Sequence, residues 1–526
     1  MLLAVWIGFC GGALASDGEV AMDAARSLVG LGERAAGSPG ASAAQGWAAG
    51  RLEAMGYEVR RSEAGYEGWV VGCRPGESGP TALALAHTDA VHPDCPGAVD
   101  NAGSVGVALA AAARLRHAPT ALGICFAFPD GEEHGLLGAR ALAGSWQATW
   151  PERPLALAVA MEFMGNGALV AANMDPTWGR AGMRWVMAHA DADVPFAYRV
   201  VARAAPHATA RSDHAPFAAS GVPSVFLVGR DEDGIYWPYH TDQDDLSRLD
   251  SAALGASVDA LSSLLSAPPP PAGGDASLPF PGTRLLIPGG LIQALTLAGL
   301  LLGFAGPLGR RDGPEGRLRG AVATAGIALL GLGLTLLATA AGAVAWAIGA
   351  HGRADHGALA EPLTLAWAGA VAAVALLTCG RFERPARPLG AGALAAALTA
   401  APLLWIDVTL GFAFSAGALG LGLAQRRRWL WPLGLGLAAP LPIYLSTPDL
   451  WRELVFQFLL PEGGMWWMPG RALFWWPLLT AGLALPARAR RLWPLAALAA
   501  LAGIAWATAT EPWAAPYFQR EMLWPG

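Results

Sequence analysis

Ile124-Cys125-Phe126-Ala127-Phe128-Pro129-Asp130-Gly131-Glu132-Glu133-His134-Gly135 joins five apolar residues to a turn packed with acid. A short apolar run closed by turn residues reads as a buried strand. Pro129 and Gly131 close this one, and the glutamates land at its end. Adjacent side chains there point in different directions, so one glutamate can hold a cation while its neighbour faces a water. On a plain surface loop the pair would be unremarkable.

Working outward, Leu122–Phe128 has company. Ala82–Ala86, Leu155–Met161 and Ser224–Leu227 are similar runs, and Tyr57–Arg61 reads as a strand after the Gly56 stop. Ala21–Leu31, Ala41–Met55, Val105–Arg116 and Leu136–Leu142 read as helices between them. Strand–helix alternation predicts one α/β domain over 16–266, with a mostly parallel central sheet flanked by helices.

Charged residues are only 14% of the 526, and 54% are hydrophobic; an average soluble domain carries about 25% charge. That excludes a disordered chain, a collagen and an ordinary soluble enzyme. Residues 1–270 hold 17 Arg against 29 acids, a net of −12, while 271–526 hold 18 against 12, a net of +6. An acidic first half argues against a nucleic-acid partner, because phosphate binding needs basic surface.

Residues 1–15, MLLAVWIGFCGGALA, resemble a signal peptide's apolar core and cleavage site before Ser16. No basic residue precedes the run, so an uncleaved N-terminal anchor fits as well. Residues 267–283, with four prolines followed by Gly-Gly, read as a semi-rigid linker. Beyond it, apolar segments of spanning length recur near 285–305, 321–349, 363–379, 389–405, 408–424, 429–446, 472–487 and 492–508. They predict an all-α polytopic membrane domain over 284–510 with about eight helices, then an outer tail, 511–526.

Arginines clump at 310–319, 381–387, 426–428 and 488–491, each clump two spans from the next. The positive-inside rule puts those loops in the cytoplasm and the acidic domain on the other side. The expected setting is a bacterial inner membrane, with the domain periplasmic and the lipid bilayer as a partner. Met465-Trp466-Trp467-Met468 reads as interfacial, and His351, Asp355 and His356 as a solvated loop. The five cysteines, Cys10, Cys73, Cys95, Cys125 and Cys379, are too scattered for a disulfide framework. Cys73 and Cys95 could pair in an oxidising compartment; free thiols fit equally.

The chemistry-bearing residues fall at strand ends. Ala82–Ala86 leads into His87-Thr88-Asp89, where a carboxylate two residues on can take the second N–H of the imidazole, the usual support of a metal-bound histidine. Asp100 precedes an apolar helix and could cap it or bridge two cations. Glu162 follows a buried strand directly, where open α/β sheets place ligand sites. His240, alone, would be an ordinary loop histidine. Together His87, Asp100, Glu133, Glu162 and His240 offer two imidazoles and three carboxylates, a thiolate-free set suited to zinc or another divalent ion. Glu132 is left over as a base.

The motif order resembles the family of co-catalytic zinc exopeptidases that includes secreted bacterial aminopeptidases, aminopeptidase Y and glutamate carboxypeptidase II. The resemblance spans about residues 20–265. It rests on AGSPG at Ala36, HTD at His87, DN at Asp100, GEEHGLLGA at Gly131, ME at Glu162, SDHAPF at Ser212 and YHTDQDD at Tyr239. With a multi-pass tail, the chain looks most like the endoplasmic reticulum metallopeptidase branch and its bacterial counterparts.

The resemblance implies two zinc ions, one on His87, Asp100 and Glu162, the other on Asp100, Glu133 and His240, with Asp100 bridging. Asp89 would orient His87, Glu132 would be the general base, and Tyr239 would help stabilise the oxyanion. Ser212, Asp213 and His214 would line the substrate side. Many members carry Asp where this chain has Glu162, which implies an altered pocket. His92, His117, His134, His189 and His207 are read as ordinary histidines.

The expected function is therefore a membrane-anchored zinc exopeptidase acting on peptides, an aminopeptidase in the first instance. A glutaminyl-cyclase-like acyl transfer enzyme uses the same fold with a single zinc, which does not need all five ligands. A non-catalytic scaffold typically loses ligands, and this chain keeps them.

Overall fold

The computed structural model describes residues 16–62, 65–174, 178–192, 212–230, 238–268, 278–279, 286–305, 314–349, 356–379, 386–406, 408–430, 467–485 and 487–509. The expected signal or anchor 1–15, most of the linker, most of the span at 429–446, the Met465-Trp466 pair, His207, His351, Asp355 and the tail 511–526 lie outside them.

A seven-stranded sheet forms the first half, built from β1 (Glu58–Arg61), β2 (Trp69–Cys73), β3 (Thr81–Leu85), β4 (Gly123–Pro129), β5 (Leu155–Glu162), β6 (Ala168–Met174) and β7 (Ser224–Arg230). Its order is β1-β2-β4-β3-β5-β7-β6. The helices are α1 (Asp17–Val29), α2 (Pro39–Ala54), α3 (Gly103–Leu115), α4 (Leu137–Thr149), α5 (Gly179–Ala190), α6 (His214–Ala219) and α7 (Ser251–Ser266). Local chemistry starts several of them. Ser16 and Glu19 make a reciprocal capping box on α1, Ser38 caps α2 ahead of Pro39, and Asp250 caps α7.

Period-two alternation sorts the strand residues into two cores. Ala82, Ala84, Ile124, Phe126, Val159 and Val225 face one layer with α1, α3 and α7. Leu83, Leu85, Cys125, Ala127, Ala160 and Phe226 face the other with Trp146, Trp150 and Phe217. Both faces are covered, which is why the strands read as continuous apolar runs.

The expectation of a mostly parallel sheet needs correction: the sheet is mixed. β4, β3, β5 and β7 run parallel, whereas β1–β2, β2–β4 and β6–β7 are antiparallel. Parallel neighbours need a crossover of a dozen or more residues. The link 62–68 is too short for that crossover, so β2 returns antiparallel to β1. The short link 163–167 turns β6 back against the direction of β5 and hence of β7, which runs parallel to β5. The cysteine expectation is corrected too. Cys73 and Cys125 lie opposite each other on β2 and β4 and form the disulfide, while Cys95 stays a buried thiol.

In the second half the described helices are α8 (Gly289–Ala305), α9 (Pro314–Gly349), α10 (His356–Thr378), α11 (Ala386–Ile406), α12 (Val408–Arg426), α13 (Trp467–Gly482) and α14 (Trp493–Ala509). Among the described residues, one stretch, Leu318–Leu337, is long and apolar enough to cross a membrane; Gly289–Ala305, Ala368–Thr378 and Pro388–Leu404 are shorter apolar helices. Small residues let backbones approach closely. A Cβ on Gly299 would collide with the Ser415 carbonyl, and one on Gly369 with the backbone at Ala500. Leu318, Val322, Leu329 and Leu337 on α9, with Leu495, Leu498 and Leu501 on α14, are each at least 60% exposed.

Candidate metal centre

Three of the central parallel strands deliver side chains at their C-terminal ends, and a further side chain precedes the helix that leads into β7. His87 follows β3, Glu132 and Glu133 follow β4, Glu162 ends β5, and Asp213 precedes α6 ahead of β7. Gly131, at φ +68°, forms the turn after β4; a Cβ there would run into the Tyr66 carbonyl oxygen. Gly131→Ala should therefore cost about 1–3 kcal/mol. At about 2–4 °C per kcal/mol, the check is a lowered Tm of the full-length protein.

Asp100 sits in a π-helical turn, Ala98–Ala102, whose φ/ψ at Asp100 (−113°, 84°) and Asn101 (−138°, 25°) are not helical. The Asp100–Asn101 peptide is cis. Asn101 Nδ2 donates to Met161 O at 2.8 Å, tying this turn to the end of β5. Phe163 and His240 both adopt positive φ, +56° and +60°. Such non-glycine left-handed residues cost energy and concentrate at functional sites.

The two oxygens of Asp100 face different histidines. Oδ1 is 3.3 Å from His87 Nε2 and Oδ2 is 3.6 Å from His240 Nε2. Glu162 Oε2 is 3.7 Å from His87 Nε2, and Glu133 Oε2 is 2.8 Å from His240 Nε2. Ligand atoms of His87, Asp100 and Glu133, and of His87, Glu132 and Glu162, lie within 4.8 Å of one another. Asp89, fully buried, sits behind. Its Oδ1 is 3.2 Å from His87 Nδ1 and accepts the Glu132 N–H at 3.3 Å; its Oδ2 accepts the Glu133 N–H at 3.2 Å.

These residues fit a divalent cation on their own evidence. His87 Nε2, Asp100 Oδ1, Glu133 Oε1 and Glu162 Oε1 are buried and make no hydrogen bond, which is costly for polar atoms. The buried Arg34 beside this turn spends its donors on the carbonyls of Thr88, Pro96 and Gly97. Burial, then the neighbouring carboxylates Glu162 and Asp100 respectively, pushes the carboxyls of Glu132 and Glu133 well above their usual range. Burial likewise raises Asp100, against the pull of His87. An N/O donor set with this excess of negative charge suits zinc or a similar ion.

Tyr239 is 38% exposed; its ring stacks on His240 and meets Phe163 edge-on at 5.5 Å. Ser212, Asp213 and His214 are buried. Both oxygens of Asp213 lack hydrogen bonds; burial pushes its carboxyl up to about 8, with His87 opposing and Glu162 and Asp89 reinforcing. His214 stacks on Phe226 at 5.2 Å. His92, read as ordinary, has its Nε2 3.3 Å from the His240 carbonyl oxygen. Asp244 was not singled out in the sequence, yet it grips the Asp100 turn; its place four residues after His240 was the available signal.

Burial holds the His214 imidazole down at about 4, against about 6.5 when free. Between those values the unfolded chain binds a proton that the folded one refuses. The stability is present above about pH 6.5 and lost as pH falls toward about 4, about 3 kcal/mol at most. His214→Phe should flatten the acid-side fall of Tm relative to wild type.

Residues 70–265 match peptidase family M28. No curated protein matches the chain. Among solved structures it is similar to a Bacteroides thetaiotaomicron glutaminyl cyclase bound to N-acetylhistamine, at 17% identity over 48% of this chain and 98% of that one, TM-score 0.41. It is similar to a Zn-dependent exopeptidase from Parabacteroides distasonis, at 17% identity over 47% and 97%, TM-score 0.40. A leucine aminopeptidase precursor from Bacteroides thetaiotaomicron is similar at 17% identity over 48% and 98%, TM-score 0.41. The match to the peptidase family M28 model thus covers the stretch in which His87, Asp100, Glu133, Glu162 and His240 all fall.

Proposed function

We propose that the chain is a membrane-anchored zinc aminopeptidase that removes N-terminal residues from peptides outside the cytoplasm. The observation that carries this reading is the convergence of two imidazoles and three carboxylates, with His87 Nε2, Asp100 Oδ1, Glu133 Oε1 and Glu162 Oε1 buried and without a hydrogen bond. His87, Asp100 and Glu162 would hold one ion, and Asp100, Glu133 and His240 a second. Such ions, when bound, supply Lewis acidity to a water and to the scissile carbonyl.

The remaining steps belong to side chains. A Glu132 carboxylate oxygen takes the proton of the attacking water and returns it to the leaving amine. Asp89 holds the Glu132 backbone and the His87 ring in one register. The Tyr239 hydroxyl donates to the oxygen on which charge develops. Ser212, Asp213 and His214 belong to the substrate side.

The domain limits proposed are 16–266 for the peptidase, 267–283 for the linker, 284–510 for a polytopic membrane domain and 511–526 for an outer tail. The exposed leucines of α9 and α14 and the glycine-mediated helix contacts support burial in lipid. The Cys73–Cys125 disulfide supports an oxidising compartment for the catalytic half.

The test is release of the N-terminal residue from a peptide panel by purified full-length protein, with N-acetylated controls and a chelator arm. Chelator-sensitive cleavage confined to free N-termini is expected. Cleavage of blocked peptides from the C-terminus would move the specificity to a carboxypeptidase. Bound metal without turnover would point to the cyclase or scaffold alternative.

A further inference from the structure

Asp244 is fully buried and places both carboxylate oxygens on the turn that carries Asp100. Oδ1 accepts the Val99 N–H at 2.7 Å and Oδ2 the Asp100 N–H at 3.0 Å. The Asp244 backbone carbonyl accepts the Ala98 N–H at 3.1 Å. Three successive amides of the turn are thus taken by one residue. The carbonyls just before them, Pro96 and Gly97, go to the buried guanidinium of Arg34 at 2.9 and 3.0 Å, which also reaches Thr88 O at 3.0 Å. A buried anion holds the turn's N–H groups and a buried cation holds its carbonyls.

This matters because the non-helical backbone at Asp100 and Asn101 is not a geometry that α3 would impose by itself. It needs an external hold, and charge-assisted hydrogen bonds are the strong kind. Asp244 also lies on the loop that carries His240, with its own N–H on Thr241 O at 3.2 Å. It therefore ties together the two segments that present Asp100 Oδ2 and His240 Nε2 to each other at 3.6 Å.

We propose that Asp244 is a positioning residue that sets the Asp100 carboxylate against His240, with Arg34 as its counterpart on the other side of the turn; this rests on the two-ion reading above. Outer partners of this kind typically tune metal affinity by about 10–100-fold.

The test compares metal-free full-length wild type with Asp244→Asn. Cobalt titration followed by electronic absorption, zinc competition and metal-free Tm are the readouts. Asparagine keeps the shape but turns an NH2 toward a backbone N–H. The ion held by Asp100, Glu133 and His240 should bind about 10–100-fold more weakly, with an altered cobalt spectrum. Wild-type affinity and spectrum, even alongside a lower metal-free Tm, would reduce Asp244 to a structural part and overturn the proposal. If Asp244→Asn does not fold, Asp244→Glu takes its place, since it keeps both oxygens but displaces them by a methylene. A shifted cobalt spectrum then supports the proposal and an unchanged one overturns it. Wild type that binds only one ion sinks the two-ion reading alone; the Asp244 assignment is then judged on that ion's affinity in the variant.

Discussion

Glu132→Gln is expected to lower kcat by about 10²–10⁴-fold, the usual contribution of a positioned acid–base group, with metal content and KM close to wild type. Glu132 follows β4 next to Glu133, and its ligand atom lies in one cluster with those of His87 and Glu162. It is absent from the Asp100–Glu133–His240 side of the constellation. Burial and then the charge of Glu162 push its carboxyl well above the usual range. Glutamine preserves shape and the backbone bond to Asp89 while removing the base. The check pairs steady-state kinetics with metal analysis. Turnover within about tenfold of wild type would remove Glu132 from the base role; a loss of metal would make it a ligand instead.

Asp100→Asn should do something of a different kind. Its two oxygens are the contact shared by both histidines, so on the two-ion proposal the substitution should cut bound metal from two ions to one or none. Activity should fall by at least about 10³-fold, because metal-supplied charge stabilisation is worth several kcal/mol. Metal-free stability should move the other way. Three buried carboxylates crowd this site, and burial opposes the charge on Asp100. Removing one charge relieves repulsion that no cation then offsets. The stripped variant should therefore melt above stripped wild type, while the loaded proteins melt in the reverse order. Parallel melts with and without chelator read both signs at once.

The strands that end at the converging histidine and carboxylates were legible in the sequence because their buried runs are continuous and end in acid. β3, β4 and β5 sit within a residue or two of where Ala82–Ala86, Leu122–Phe128 and Leu155–Met161 put them. β2, Trp69-Val70-Val71-Gly72-Cys73, and β6 escaped notice, and with them the antiparallel margins of the sheet. Short runs interrupted by Gly or Asn carry no alternation, and their pairing is decided by chain reversal rather than composition.

The disulfide was misread for the same reason. Cys125 meets Cys73 only because β2 pairs with β4. Among candidate site residues, the histidines and carboxylates that the structure brings together, and Asp89 behind them, could be named from spacing and resemblance. The grip of Asp244 and Arg34 on the Asp100 turn could not, since both act through backbone groups from 34 to 244 in the chain.

Asp89 has one further consequence. Its carboxylate touches the ring of His87 and both amides of the Glu132-Glu133 pair, so the parts that would bind metal and the part that would move the proton pivot on one fulcrum. Neither can be retuned alone: a nudge to the imidazole travels through a rigid, solvent-free joint to the base. A family of variants seeking a new substrate has freedom at the rim, around Tyr239, and almost none at this hinge pin.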